Sequence, residues 1–302
     1  MGSLFITGAS GFIGRSLLGH LAKSESRATT TVLTRSPETL LSAVPPAREW
    51  CYLAGDITQP QTYATALSGV DTVVHLAATT GKANPDDYVR VIREGTRQLA
   101  EACHVAGVSR FILVSTVAAG FPDQRYYPYA TAKAEAEQII SDSRMDWLIV
   151  RPTMVFGDGS PVLRGLATLA GAPVGLMPGP GGVMVQPVDR DDLAWMLCRL
   201  VGGGPSRETI DLGGPDKLTM LDLMRRIRSR LRGRPGPMLY LPLELMRRTL
   251  GVLEPGMRPL LPVTAGQLAA FANHSDARWH AWTDSIRTSL KSVDTMLTSL
   301  AR

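Results

Sequence analysis

Little in this 302-residue chain is available for cross-linking or for holding a metal. Its three cysteines, Cys51, Cys103 and Cys198, are far apart, odd in number and form no CxxC pair. That excludes a disulfide framework and a structural zinc site. The five histidines (His20, His75, His104, His274 and His280) show no ligand spacing, so no metal is expected. Long apolar runs are missing as well. The longest uncharged stretch, Gly165 to Val188, holds Pro173, Pro178, Pro180 and Pro187, which a spanning helix does not tolerate; it reads as an irregular linker between lobes, and no transmembrane segment is expected. Ser3 to Thr7 form a short apolar strand rather than a basic stretch before a long apolar one, so the expectation is no secretory leader and a cytoplasmic protein. There is no internal repeat and no low-complexity segment.

Charge is modest and uneven. The net +5 hides a C-terminal surplus, because from Leu221 onward there are 13 Lys/Arg against 6 Asp/Glu. An anionic substrate or an acidic partner is expected near that end. Nucleic acid is not: Arg225, Arg226, Arg228, Arg230, Arg232 and Arg234 alternate around Leu223, Met224, Ile227 and Leu231, the pattern of a solvated helix face.

What the first half does have is alternation. Short apolar runs at Leu4–Thr7, Thr30–Thr34, Cys51–Ala54, Thr72–Leu76, Arg110–Val114 and Trp147–Val150 read as strands. Helices are predicted near Ile13–Ser24, Pro60–Leu67, Tyr88–Ala106 and Tyr129–Ser141, and a further strand near Glu208–Asp211. This is the signature of βαβ units. The fold class is therefore α/β, a Rossmann-type doubly wound parallel sheet with a smaller, mostly helical C-terminal substrate lobe. Residues 1–158 form the dinucleotide-binding domain, with 183–215 returning to it, and 159–302 the smaller lobe. In that lobe a helix follows Asp191, and Thr219 with Asp222 marks a capping-box-like start for a helix over Met220–Leu231. The last eighty residues read as mostly helical. Such a lobe would complete a cleft over the strand ends, where doubly wound sheets bind ligands.

The strongest local motif is Thr7-Gly8-Ala9-Ser10-Gly11-Phe12-Ile13-Gly14. Its three glycines follow a strand directly and open a helix, where backbone N–H groups can approach a pyrophosphate. Ser10, Phe12 and Ile13 share that loop. At the end of the second strand, Arg35 stands where an acidic residue would hold the ribose 2′-OH of NAD, and Arg suits a 2′-phosphate instead. NADP(H) is therefore the expected cofactor, with NAD(H) the alternative. Asp56 and Ile57 follow the third strand, and Asp56 could accept from the adenine amino group or cap a helix. Leu76, Ala77 and Ala78, after the fourth strand, are small enough for a cofactor to lie against the backbone. His75 before them reads as a core histidine.

Tyr129 and Lys133 stand at i and i+4 of a predicted helix and so share a face. A nearby ammonium stabilises phenolate and brings a tyrosine, ordinarily near about 10, towards the working range of an acid/base. Ser115 and Thr116 end the preceding strand with hydroxyls that can bind a substrate oxygen or cap the local backbone.

The glycine loop, His75-Leu76-Ala77-Ala78, Glu94-Gly95-Thr96, Val114-Ser115-Thr116, the Tyr129/Lys133 pair and Arg151-Pro152 together resemble the extended or atypical short-chain dehydrogenase/reductases. These include the NAD-dependent epimerase/dehydratases. The resemblance runs over residues 3–215, through Pro187–Ala194 and Leu212–Pro215. It implies that Tyr129 is the proton donor/acceptor and that Lys133 binds the nicotinamide ribose. It also implies that Thr116, or else Ser115, positions the substrate oxygen, and that Pro152 borders the cofactor. Three features depart from the epimerase pattern. Ile92 stands where Asn is frequent, only 12 residues separate Thr116 from Tyr129, and Arg35 replaces an acidic residue. They bring the chain closer to the atypical branch that includes the nucleotide-binding accessory subunit of respiratory complex I, whose cofactor is structural. The expected activity is NAD(P)-dependent hydride transfer at a carbonyl/alcohol carbon of a small molecule. Reductase and sugar-nucleotide epimerase or dehydratase variants remain open. The competing class is a redox-silent NADP(H)-binding assembly or sensor protein, which has no need of a catalytic phenol.

Overall fold

Seven strands make the central sheet, the edge strand β3 being partly to fully exposed and the others largely buried: β1 (Leu4–Thr7), β2 (Thr30–Thr34), β3 (Trp50–Ala54), β4 (Thr72–His75), β5 (Arg110–Val114), β6 (Asp146–Pro152) and β11 (Glu208–Leu212). The computed structural model describes residues 2–24, 29–43, 50–257, 264–278, 280–286 and 289–301. The sheet order is β11-β6-β5-β4-β1-β2-β3, and the pairings β1/β2, β1/β4, β2/β3, β4/β5 and β5/β6 are all parallel. Phe5, Ile6, Val73, Val74, Phe111, Ile112 and Leu113 are fully buried. Such continuous apolar runs suit a parallel sheet covered on both faces. The order reverses between β1 and β4, the crossover at which doubly wound sheets open a crevice for ligands.

The chain divides into two units. The first comprises Met1–Ser115, Ala132–Arg151 and Arg190–Ile210; the second comprises Thr116–Thr131, Pro152–Asp189 and Asp211–Arg302. In the first, α1 (Phe12–Lys23) buries Gly14, Leu17, Leu18 and Leu21 on one stripe, and His20 and Lys23 in its last turn complement the helix dipole. It packs on α7 (Arg190–Gly202), where the Ser16 hydroxyl donates to Asp191 Oδ1 at 2.6 Å. A short α2 (Pro37–Ala43) follows β2. Residues 85–106 run as α3 (Pro85–Tyr88), a π-helical turn (Val89–Glu94) and α4 (Gly95–Ala106), which ends on Gly107 at φ 76°. Helix α5 spans Pro128–Ser141.

Three sequence expectations need correction. The helix expected over Pro60–Leu67 is two 3₁₀ turns, Pro60–Thr62 and Ala64–Leu67. They break at Tyr63, whose fully buried ring lies 6.3 Å from that of Phe5; packing of one large ring overrides helix continuation. The supposed linker Gly165–Val188 is ordered. Helix α6 (Pro161–Gly171) runs through it, with Pro at its first position and the Ser160 hydroxyl accepting from Leu163 N. Short strands follow after β7 (Val155–Phe156): β8 (Gly175–Pro178), β9 (Met184–Val185) and β10 (Val188–Asp189). The C-terminal eighty residues are helical only in part. They hold β12 (Leu218–Thr219), α8 (Met220–Arg232), β13 (Met238–Leu241) and α9 (Leu243–Met257), and then mainly turns and short helices among the described residues. Thr219 does cap α8, accepting from Asp222 N. The second unit's core gathers Phe156, Leu163, Leu166, Met220, Leu223, Met224 and Ile227.

Candidate active site

Within the first unit, the carboxyl ends of β4, β1, β2 and β3 gather most of the expected cofactor residues. Gly8 follows β1 with φ +74°, and a Cβ there would stand 2.4 Å from Ala77 N. A Cβ on Gly14 would meet Gly8 O at 2.4 Å and Ala9 Cα at 2.6 Å. Both positions therefore require glycine, for backbone conformation in one case and close approach in both. Gly11 differs: its Cβ would touch only Gly8 O, at 3.1 Å. Its own N–H donates to Gly8 O. No side chain caps the start of α1, and no acidic residue lies in its first turn. The exposed Ser10 and Gly11 and half-buried Phe12 and Ile13 thus present an uncapped helix N-terminus, the electrostatics and the space that a dinucleotide pyrophosphate needs. The residues present fit an NAD(P) cofactor. Arg190 lies over the Phe12 ring at 5.1 Å.

The loop is fixed from below by a buried polar chain. Ala77 N donates to Thr7 Oγ1 at 3.3 Å. The Thr96 hydroxyl donates to Ile92 O at 2.5 Å and so accepts from His75 Nε2 at 3.1 Å. That leaves His75 Nδ1 to accept from the Thr7 hydroxyl at 2.6 Å. Burial, with the nearby Lys133 charge, pushes the His75 imidazolium down to about 3, so the ring is neutral at working pH. His75 is a core histidine that ties the glycine loop to α4.

Arg35 is exposed just past β2. Asp56 Oδ1 accepts from Thr58 N at 2.8 Å and from the Thr58 hydroxyl at 2.7 Å, closing an Asx turn rather than capping an α-helix. Burial pushes the Asp56 carboxyl up, but those two bonds and the charges of Arg35 and Arg90 hold it below its ordinary value. Arg90, on the π-helical turn, was not legible as a site residue; a sequence separation of 55 residues from Arg35 gave no signal that both act on Asp56. Ile57 is buried and would contact any Cβ on Gly95 at 3.3 Å. Leu76 N donates to Thr7 O, and Leu76, Ala77 and Ala78 stay partly accessible.

At the end of β5, still in the first unit, Lys133 is 2% exposed and its Nζ donates to Val114 O at 2.8 Å. Burial pushes its ammonium down to about 8, opposed by the Glu137 carboxylate. One turn further along α5, Glu137 is itself buried and paired by two bonds with Arg151, Nε to Oε1 at 2.8 Å. The Ser115 hydroxyl is buried without a hydrogen-bond partner among the described residues.

Thr116, Tyr129 and Pro152 belong to the second unit. Thr116 Oγ1 accepts from Ala118 N at 3.2 Å, capping a 3₁₀ turn over Val117–Gly120. Tyr129 is half-buried in the first turn of α5, four residues before Lys133, with its ring 5.8 Å from that of Tyr127. Pro152 ends β6 and is buried. A further feature of this unit had no sequence signal. Arg247, 1% exposed, donates to Asp123 at 2.6 and 3.2 Å and to Arg125 O at 2.9 Å, anchoring the segment that leads to Tyr129.

A family model described as NAD(P)H-binding matches residues 8–174. The ceramide reductase of Caulobacter vibrioides is 33% identical over 174 residues, 56% of this chain and 51% of that protein. The 2-alkyl-3-oxoalkanoate reductase of Stenotrophomonas maltophilia is 28% identical over 176 residues, 52% of each. The chain thus spans about half the length of these two curated relatives. Among solved structures, MoeE5 in complex with UDP-glucuronic acid and NAD superposes with a TM-score of 0.69 at 20% identity, covering 98% of this chain and 97% of that one. At that identity the likeness is one of fold. No helix among the described residues is long and apolar enough to cross a membrane.

Proposed function

The chain belongs to the NAD(P)H-binding family, and from that premise we propose that it is an NADP(H)-dependent oxidoreductase of the short-chain dehydrogenase/reductase type, reducing a carbonyl of a small molecule. The observation that carries this reading is Lys133. A fully buried ammonium is costly, and here it sits at the carboxyl end of β5, bonded to the carbonyl of Val114, the residue before Ser115. Groups kept buried and perturbed in this way cluster at functional sites.

Gly8, Ser10, Gly11, Phe12, Ile13 and Gly14 would hold the pyrophosphate, and Leu76–Ala78 and Pro152 would border the cofactor. Arg35, with Arg90 beside it, would take the 2′-phosphate; Asp56 and Ile57 would meet the adenine. When bound, NADP(H) supplies hydride chemistry. The chain's own part is the proton: Tyr129 gives it to the substrate oxygen in reduction and takes it back in oxidation. Lys133, one helical turn away on α5, supports the charged phenol and reaches the nicotinamide ribose. Thr116 orients the substrate oxygen through the hydroxyl proton that its capping bond leaves available, with Ser115 the other candidate. The two relatives described above are reductases by name, which supports the reductase variant. The C-terminal arginine surplus supports an anionic substrate.

Ile92 and Arg35 support placement in the atypical branch that includes the complex I accessory subunit, and with it a second reading in which NADP(H) is held without turnover. One experiment separates the two: NADPH consumption against a panel of carbonyl compounds, 2-alkyl-3-oxoalkanoates and sugar nucleotides included. Turnover of any of them supports the enzyme. Stoichiometric NADPH binding with no turnover across the panel supports the silent binder.

A further inference from the structure

Helix α9 packs Leu243, Met246 and Leu250 against the second unit's core and buries two charges beside them. Its inward stripe carries charge: Arg247 is 1% exposed on Asp123, and Glu254 is buried, accepting from Ala265 N. Two residues before each of them, some 200° around the helix, Leu245 and Val252 are 62% and 80% exposed. The two buried charges fix the register, so Leu245 and Val252 face solvent beside the exposed Glu244–Arg248 pair. Just upstream, Leu239 and Tyr240 of β13 are each about half exposed.

The same stretch of chain is strongly basic. Between Asp222 and Glu244 there is no carboxylate and there are six arginines. Arg228 is buried and spent on the carbonyls of Ala170, Ala172 and Pro173. Arg226 pairs with Asp294 and Arg232 donates to Gly171 O. The exposed Arg225, Arg230 and Arg234 have no ion-pair partner among the described residues.

We propose that the outer side of α8, the β13 stretch and the outward stripe of α9 dock the protein on an anionic lipid bilayer. A bilayer surface meets both halves of the pattern. Leu and Val side chains enter the acyl boundary, Tyr sits at the headgroup level, and arginines meet lipid phosphates. Nucleic acid would use the arginines but leave the aliphatic stripe against water. A second copy meeting this surface through a two-fold axis would set arginines against arginines, with carboxylates only at the borders of the stretch, where Asp222 bonds Thr219 and Glu244 pairs with Arg248.

The test is co-sedimentation of the full chain with vesicles of phosphatidylcholine alone or with about one third phosphatidylserine. Binding to the anionic vesicles should exceed that to neutral ones by about tenfold or more and fall with salt. The triple variant Arg225→Glu/Arg230→Glu/Arg234→Glu should lose that preference. Leu245→Ser/Val252→Ser should weaken binding at every salt concentration, with far-UV dichroism and NADPH affinity kept, because neither touches the proposed cofactor residues. Equal or absent binding to the two vesicle types, or variants that bind like the parent, would overturn the proposal. So would a concentration-dependent dimer in sedimentation velocity that Leu245→Ser/Val252→Ser abolishes.

Discussion

Lys133 Nζ donates to the carbonyl oxygen of Val114 at 2.8 Å, holding α5 against the end of β5 with an ammonium that is almost wholly out of water. Its protonation is therefore linked to folding. The ammonium titrates at about 8 in the fold, against about 10.4 for a free lysine. The unfolded chain binds the proton more tightly, so the penalty is full below pH 8 and is relieved as pH rises towards the unfolded value. Lys133→Met removes it. The stability of Lys133→Met relative to the parent should be greatest below pH 8 and shrink between pH 8 and 10. Paired denaturant titrations at pH 7 and 9.5 read this difference; a pH-independent gap would contradict the assignment.

Arg35 and Arg90 both bear on Asp56 from positions open to solvent. NADPH should bind more tightly than NADH. Losing one charge-assisted hydrogen bond to the 2′-phosphate costs about 1.5–3 kcal/mol, roughly tenfold or more in affinity. Arg35→Asp should reverse the order of the two cofactors, and Arg90→Ala should weaken NADPH while leaving NADH unchanged. Fluorescence titration checks both. Equal affinities in the parent would end the 2′-phosphate reading.

The two later glycines of the phosphate loop should fail differently. A Cβ at Gly14 collides with backbone at 2.4 Å, so Gly14→Ala should destabilise the protein and shift its thermal midpoint down. A side chain at Gly11 meets only Gly8 O at 3.1 Å and otherwise open space. Gly11→Val should therefore keep the melting curve near that of the parent and abolish dinucleotide binding. Normal binding by Gly11→Val would reduce the loop to a turn.

Arg247 and Asp123 form a pair 124 residues apart in sequence, with the arginine fully buried. Arg247→Met should lower stability by about 1–2 kcal/mol, less than the roughly 3 or more of a stranded buried charge, because Asp123 is partly exposed. Asp123 keeps Arg125 as a second partner at 2.9 Å, so the loss should shrink when Asp123→Asn is added. Additive losses in the double variant would show that the two side chains do not couple.

The sheet was legible because β1, β4 and β5 are runs of buried apolar residues, and the glycine loop because strand, turn and helix follow one another without a gap. Other parts were not. Pro60–Leu67 has helical composition, but the Tyr63 ring takes a core position that breaks it. The Ser160-Pro161 cap announced α6, yet the prolines after it dominated the reading. For Arg247, nothing local separates a buried arginine from Arg248 beside it, which is exposed and paired with Glu244; its partner comes from tertiary structure. The hydroxyls of Ser115 and Thr116 looked equivalent in sequence. Folding distinguishes them, since Thr116 caps a turn and Ser115 lies buried without a partner.

The central claim is that Tyr129 moves the proton. It is tested most directly by steady-state kinetics of Tyr129→Phe on a carbonyl substrate that the parent reduces, with NADPH affinity measured in parallel. The substitution removes one oxygen from a half-buried ring. NADPH affinity should stay at the parent value, while kcat falls by ~10² or more, the scale for losing a positioned proton-transfer group. A Tyr129→Phe enzyme that keeps the parent's kcat would contradict the account.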